Sequence, residues 1–440
     1  MGAAVEDGGM KTYRPYHPDQ MLLLPPSLSD WLPEGHLARF VSELVDTLDL
    51  SAIEDTYDED RGFPPYHPCM MVKLLVYAYC TGTYSSRRIA AKLTDSVAFR
   101  FLAAGNQPDF RTISDFRKRH GDALAGLFEQ VLKLCQQAGL VKLGRVAVDG
   151  TKIKANAAKH KAMSYGRMKE KEAQLQREIR ALLKQAEAAD AEEDRQHGSS
   201  RSVEELPAEL AFREGRLKKI QEAKAALEAE AKAKAEAKGK DPDDEPPADK
   251  SQRNFTDPES KIQKTKDGFI QGFNAQIGVD EKSQVIVSQH VTAVSADVNE
   301  LLPAVKQMTR ILGRKPDSML ADAGYFSEAN VRGLEKKKIK AFIATGRRKH
   351  SEARVQAPRG RPPHGLTFAE GMARRLQAAK ARAVYALRKE IVEPVFGQIK
   401  QARGFRQFLR RGQERVGQEW ALICTVHNVL KLHKVIAPTM

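Results

Sequence analysis

Two aspartates in this chain of 440 residues sit in matching surroundings. Asp149 ends the apolar run Arg-Val-Ala-Val-Asp and opens Asp-Gly-Thr, while Asp322 ends Met-Leu-Ala-Asp and opens Asp-Ala-Gly-Tyr. A short apolar run that stops on a carboxylate before small residues predicts a strand with an acid at its end, and strand ends of α/β sheets are where ligands collect. A third carboxylate, Glu393, lies in RKEIVEPVFGQIKQ, within a C-terminal helical region. Two Asp and one Glu form a set of hard oxygen donors suited to two Mg²⁺ ions, with Mn²⁺ able to substitute and positions left open for water and phosphate oxygens. One ion would activate an attacking hydroxyl and the other would stabilise the leaving oxygen. Such chemistry needs no histidine, and none of the eleven His residues has ligand spacing. Taken singly, each carboxylate reads more readily as a turn or cap residue. Their joint placement is what points to a site.

The elements that must position these groups divide the chain into unlike parts. Up to about residue 140 the pattern is helical, with apolar residues at helical spacing in His36 to Leu50, Met70 to Cys80 and Leu124 to Leu140. Between them, Ser85 to Leu93 and Thr112 to His120 predict two short basic helices, the second capped by Thr112 and carrying Arg117, Lys118 and Arg119. A helix-turn-helix DNA reader and a plain helical bundle with a solvated basic face both fit this pair. From about Ala162 to Lys240 the composition shifts to Ala, Glu, Lys, Gln and Arg. Leu175, Ile179, Leu182 and Leu183 form one stripe and Leu217, Ile220, Ala223 and Leu227 a second, which predicts an antiparallel helical hairpin that frays into the polar linker GKDPDDEPPADKSQ.

Beyond the linker, alternation in Phe269 to Val279 and Gln284 to Val291 predicts two strands. Asp297 and Glu300 match a capping box before a helix to about Leu312. A strand to Asp322, a helix at Ser327 to Lys338, a strand at Ala341 to Thr345 and further helices follow. Without the insertion the order is strand, strand, strand, helix, strand, helix, strand, helix, a mixed α/β layout.

The formal charge of +15, from 72 Lys and Arg against 57 Asp and Glu, favours a polyanionic partner, nucleic acid first. Most of the surplus lies between Arg347 and Arg411, with 17 Lys or Arg and 4 Glu. A DNA-backbone surface around the carboxylates is the expectation. Arg403, Arg406, Arg410 and Arg411 alternate with Phe405 and Phe408, so the rings either stack on unpaired bases or belong to a core beneath the arginines. Cys69, Cys80, Cys135 and Cys424 are too scattered for a zinc or redox pair. With no membrane-length apolar run, a cytosolic protein is expected. The nine residues before Met10 read as an extension ahead of the patterned sequence.

Taken together, these segments resemble the bacterial insertion-sequence transposases with a DDE catalytic triad. YRPYHPDQMLLLPPSLSDWLPEGHLARF and YHPCMMVKLLVYAYCTGTYSSRRIA resemble the N-terminal region of that family, and VAVDGTKIKANA, MLADAGYFSEANV and IVEPVFGQIKQARGFRQFLRRG its three catalytic segments. The resemblance implies an RNase H-like catalytic domain over 141–160 and 255–440, a helical DNA-end-binding domain over 1–140, and a helical-hairpin insertion with a linker over 161–254. It makes Asp149, Asp322 and Glu393 the metal-binding triad, and Tyr385 and Lys400 phosphate contacts beside the Glu. Lys400 follows Glu393 by seven residues, two helical turns along the same face. Related enzymes carry an Arg four positions before the Glu, where this chain has Lys389, with Arg388 next to it. Pro394 predicts a helix start or kink at Glu393, with Glu390 as the alternative carboxylate.

The function implied is Mg-dependent cleavage at the ends of an insertion sequence and strand transfer into target DNA. The partners implied are double-stranded DNA, as terminal inverted repeats and target, and a second copy of the chain in the DNA complex. The place is the bacterial cytosol, at the nucleoid. The rival is a non-catalytic DNA-binding protein derived from such an element, which the presence of all three carboxylates disfavours.

Overall fold

The computed structural model describes residues 27–57, 64–197, 208–236, 239–241, 245–346, 360 and 363–436, without the side chains of 185–197 and 208–209. The extension before Met10, half of the first family-like segment, part of the polar linker and the start of the basic segment lie outside the described residues.

Among the described residues seven helices come first: α1 (Leu37–Asp46), α2 (Ser51–Glu54), α3 (Pro68–Cys80), α4 (Ser86–Asp95), α5 (Val97–Leu102), α6 (Phe110–Arg119) and α7 (Gly121–Gln137). The expected cap of α6 moves. Asp109 is the N-cap, and its carboxylate accepts from Thr112 N at 2.7 Å, so Thr112 sits inside the first turn. The basic helices α4 and α6 pack together, but α5 stands between them in the chain, so they are not the consecutive pair of a helix-turn-helix.

The sheet begins with β1 (Arg145–Lys154), after which the short β2 (Ala162–Ser164), α8 (Tyr165–His197), α9 (Ala208–Glu236) and β3 (Gln252–Asn254) form the insertion. β2 and β3 pair antiparallel at its base, Ala162 opposite Asn254. α8 and α9 bury a cluster of their own, with Tyr165, Met168, Leu175, Ile220, Ala223 and Leu227. Lys224 bridges to Glu172 across the pair at 2.9 Å.

The chain then returns to the main sheet as β4 (Lys261–Thr265), β5 (Gly268–Asp280) and β6 (Ile286–Thr292), followed by α10 (Leu301–Leu312), β7 (Ser318–Ala321), α11 (Glu328–Lys336), β8 (Lys340–Ile343), α12 (Phe368–Gln377), α13 (Ala379–Gly397) and α14 (Gln413–Ile436). The strand order is β6-β5-β1-β7-β8, with β4 beside β6 on the same flank of β5. β5 is antiparallel to β1 and β6, and β7 and β8 run parallel to β1. This is the RNase H-like arrangement. Its strand β4, and the two strands of the separate β2–β3 pair, lack the alternation that marks β5 and β6 in sequence.

Helices cover both faces, as a mixed sheet buried on both sides requires. α13 and α14 pack on one, and α10, whose Met308 reaches Gly278, on the other. α14 also packs against α3 and α7, so the buried residues of the N-terminal helices and of the sheet form one continuous cluster. The N-terminal region is helical as expected, yet it shares its core with the main sheet.

Candidate active site

Asp149 lies inside β1, not at its end. The antiparallel partner β5 is long enough to pair β1 as far as Lys154 opposite Gly272, whereas the parallel pairing with β7 stops at Ala147 opposite Leu320. The expected strand end is therefore the end of the parallel ladder. Asp149 stands just past it, and Asp322 directly follows β7. The Asp322 carboxylate caps the turn behind it, accepting from Gly324 N at 2.8 Å.

Asp149 accepts from Gly150 N at 2.8 Å and from the Arg388 guanidinium at 2.9 Å. Burial pushes its carboxyl up to about 6; Arg388 pulls the other way, and Asp322 adds to the rise as a like charge. Arg388 itself is buried enough to be weakened as a cation, but Asp149, Tyr385 and Asp322 more than offset this. Tyr385 lies beside Arg388 on α13, and its hydroxyl is raised by burial. Lys389 is exposed. The helical phase thus directs Arg388, not Lys389, at the aspartate.

Lys400 donates to the Thr151 hydroxyl and to the Lys152 carbonyl, two and three residues past Asp149. Its ammonium is weakened by burial and by Arg406. Glu393 lies on α13 between these anchors and is exposed, as is Glu390. Among the described residues no hydrogen bond or ion pair joins Glu393 to either aspartate, and no three His, Cys, Asp or Glu side chains stand close enough to hold a metal ion. The structure brings Asp149 and Asp322 together and leaves Glu393 apart. Pro394 neither starts the helix nor ends it, since α13 continues to Gly397 before a π-helical turn at Gln398–Ala402.

The basic residues separate by burial. Arg406 and Arg411 are exposed; Arg406 donates to the Lys400 carbonyl and the Gln401 amide oxygen, and Arg411 to the Asn156 carbonyl. Arg403 is 8% exposed, and Arg410 bonds to Gln418. Phe405 and Phe408 belong to the core, where Phe408 meets Phe273 and Trp420 edge to face. In α6, Arg117 turns inward to Tyr79, Tyr84 and Ser86, each at 2.9 Å, and is spent on the interior. Lys118 pairs with Asp115, and Arg119 lies over the Tyr57 ring.

Asp297 belongs to the same site and was hidden by its own sequence. The predicted capping box does not form: α10 starts at Leu301 behind Glu300, which makes no side-chain cap. The Asp297 carboxylate instead accepts from the Asn274 and Gln276 amides, both at 2.6 Å, because the β5 register puts those two residues opposite Lys152 and Gly150. Burial also weakens the Lys152 ammonium, against the opposing fields of Asp297, Asp149 and Asp322. The only sequence signal was the polar Asn274 and Gln276 within a buried strand.

No helix among the described residues is long and apolar enough to cross a membrane. No curated protein and no solved structure matches the chain. Two family models do: a transposase domain, DUF772, over residues 26–119, and a transposase DDE domain over residues 243–429. β1 and Asp149 fall in the gap between them, together with α8 and α9 of the insertion. With the helical region, the mixed sheet and the acids at its parallel strands in agreement, the chain belongs to the insertion-sequence DDE transposases.

Proposed function

We propose that this transposase cuts DNA at the ends of its element and joins the freed 3′ ends to target DNA, using divalent metal held by Asp149, Asp322 and Glu393. The observation that carries this is the pair of aspartates at the end of the parallel β1–β7 ladder, close enough that the charge of Asp322 helps raise the Asp149 carboxyl. Two buried or half-buried carboxylates that repel each other across a strand pair gain from a shared cation, and their oxygens are the donors that Mg²⁺ prefers. Asp149 and Asp322 would hold the metal, with Glu393 joining from α13. When bound, it would make a hydroxyl nucleophilic and neutralise charge on the leaving oxygen.

The chain's own groups do the rest. Arg388 and Lys400 flank β1 with cationic donors for phosphate oxygens, Tyr385 supports Arg388, and exposed Arg406 and Arg411 extend the contact to the DNA backbone. Of the three candidate cations at the end of α6, Lys118 and Arg119 remain exposed for the N-terminal region's part in binding the ends, and we expect two copies of the chain in the DNA complex.

The test is incubation of the purified protein with Mg²⁺ and duplex carrying the element's own ends, scoring strand-specific nicks and joined products. Asp149→Asn, Asp322→Asn and Glu393→Gln should each abolish nicking while DNA binding persists, and Glu390→Gln should leave nicking intact. Near-normal nicking by any one of the first three removes that residue from the set, and loss of activity in Glu390→Gln alone would shift the third role to Glu390.

A further inference from the structure

The sheet face turned away from α13 carries a cation that the three-carboxylate reading leaves unused. Opposed residues of an antiparallel pair share a face, so the register puts Gly150, Lys152, Gln276 and Asn274 on one side and Asp149 and Thr151 on the other. Lys152 Nζ donates to the Ser295 carbonyl at 3.0 Å and stands 3.8 Å from Asp297 Oδ1, with its side chain 20% exposed. It lies within the field of both Asp149 and Asp322. Asp297 is itself immobilised by the two amides. Gln276 is fixed in turn, accepting from the Tyr325 hydroxyl while its backbone carbonyl accepts from the Trp420 indole at 3.1 Å.

A lysine at the mouth of a cleft has solvent within reach and a flexible stem. This one is tied down by a carbonyl and a carboxylate beside the two acids. Its ammonium has three donors, and the Ser295 carbonyl takes one at close range. We propose that Lys152 is a catalytic residue that contacts the scissile phosphate from the face opposite Arg388 and Lys400, and that Asp297 is the positioning residue that aims it. Lys152 has this role only if Asp149 and Asp322 act on a DNA phosphodiester, as proposed above.

Two measurements test it. The first is binding of a labelled end duplex without divalent metal, over a range of salt. Lys152→Ala should lower the slope of log K against log salt by about 0.9, the loss of one phosphate contact, and Lys152→Arg should restore it. The second is a double-mutant cycle on nicking rate with Mn²⁺: Asp297→Asn should slow the wild type but add nothing in the Lys152→Ala background, because its effect runs through the lysine. Should Lys152→Ala fail to fold, Lys152→Gln keeps a donor for Ser295 without the charge and is scored by the same slope. An unchanged slope in a folded Lys152→Ala or Lys152→Gln protein, or independent multiplication of the two defects, overturns the assignment. If Asp149→Asn and Asp322→Asn nick normally, it is the function that fails, and the metal-free slope still reports on Lys152 separately.

Discussion

Gly150 is the residue on which the geometry of the site makes its sharpest demand. Its backbone is ordinary extended strand, so conformational freedom is not the reason for a glycine. A Cβ there would come within 2.3 Å of Gln276 Nε2, 2.8 Å of Asn274 Oδ1 and 2.9 Å of Asp297 Oδ1. None of these is a loose side-chain end, because Asp297 holds both amides and Tyr325 holds Gln276. Gly150→Ala must therefore push the network apart. Overpacking costs about 1–3 kcal/mol, and each buried polar group left without its partner about 1–3 kcal/mol more. A loss of roughly 2–5 kcal/mol follows. Gly126, exposed in the middle of α7 with nothing within 4 Å of its would-be Cβ, is the control. There the same methyl should stabilise by about 0.5–1 kcal/mol. Urea unfolding followed by tryptophan fluorescence suits the comparison, since one of the two tryptophans, Trp420, donates to the Gln276 carbonyl. Gly150→Ala should unfold at lower urea and, under conditions where it is still folded, nick poorly. A Gly150→Ala protein within about 0.5 kcal/mol of wild type, the range of an unimportant surface change, would refute the packing argument.

Two further predictions follow from burial and charge. The Asp149 carboxyl is raised from 3.8 to about 6 in the folded chain, so the folded state holds that proton more tightly than the unfolded one. Its contribution, roughly 3 kcal/mol, is fully present below pH 3.8 and lost as pH rises through about 6. Metal-free stability should lose this amount between those limits in the wild type but not in Asp149→Asn, while nicking, which needs the ionised form, should rise over the same window; parallel pH profiles of the two proteins would contradict this. Arg403 and Arg406 should separate cleanly despite sitting three residues apart. Arg403→Ala should lower the unfolding midpoint, because the guanidinium is packed inside, whereas Arg406→Ala and Arg411→Ala should keep the midpoint and each reduce the salt slope of DNA binding by about 0.9.

What was readable in the sequence was what local pattern controls. An apolar run stopping at an acid before small residues marked Asp149 and Asp322, and helical stripes marked the insertion. What escaped depends on register and on distant partners. Asp297 has the spacing of a cap, and only the pairing of β5 with β1 sends its carboxylate to Asn274 and Gln276 instead. Arg388 and Lys389 are indistinguishable neighbours until the phase of α13 against β1 is known. Arg117 reads as one of three cations on a basic helix, but Tyr79, Tyr84 and Ser86 offer it three acceptors, all more than thirty residues earlier.

Pro394 shows how such distant partners reverse a local rule. A proline inside a helix has no N–H for the carbonyl four residues back, here that of Glu390, and is disfavoured for that reason. α13 runs through it because Gln284 supplies the missing donor, its Nε2 bonding the Glu390 carbonyl at 3.0 Å. Gln284 is well placed to do so. It sits in the β5–β6 turn at a positive φ of 56°, its carbonyl accepts from His427 Nε2 at 2.9 Å, and its Oε1 accepts from Lys431 at 3.0 Å. Burial drives His427 down to about 3, so the ring is neutral at physiological pH and donates one N–H without bringing a charge into the core. The turn and α14 thus brace α13 just before Glu393. Beyond Pro394 the helix widens into the π-helical turn from which Lys400 reaches Thr151. Kinks in helices concentrate at prolines and π-turns, and here both come soon after the carboxylate that stands apart from Asp149 and Asp322. The catalytic reading requires Glu393 to come to those aspartates, and α13 has its missing hydrogen bond one residue away from it.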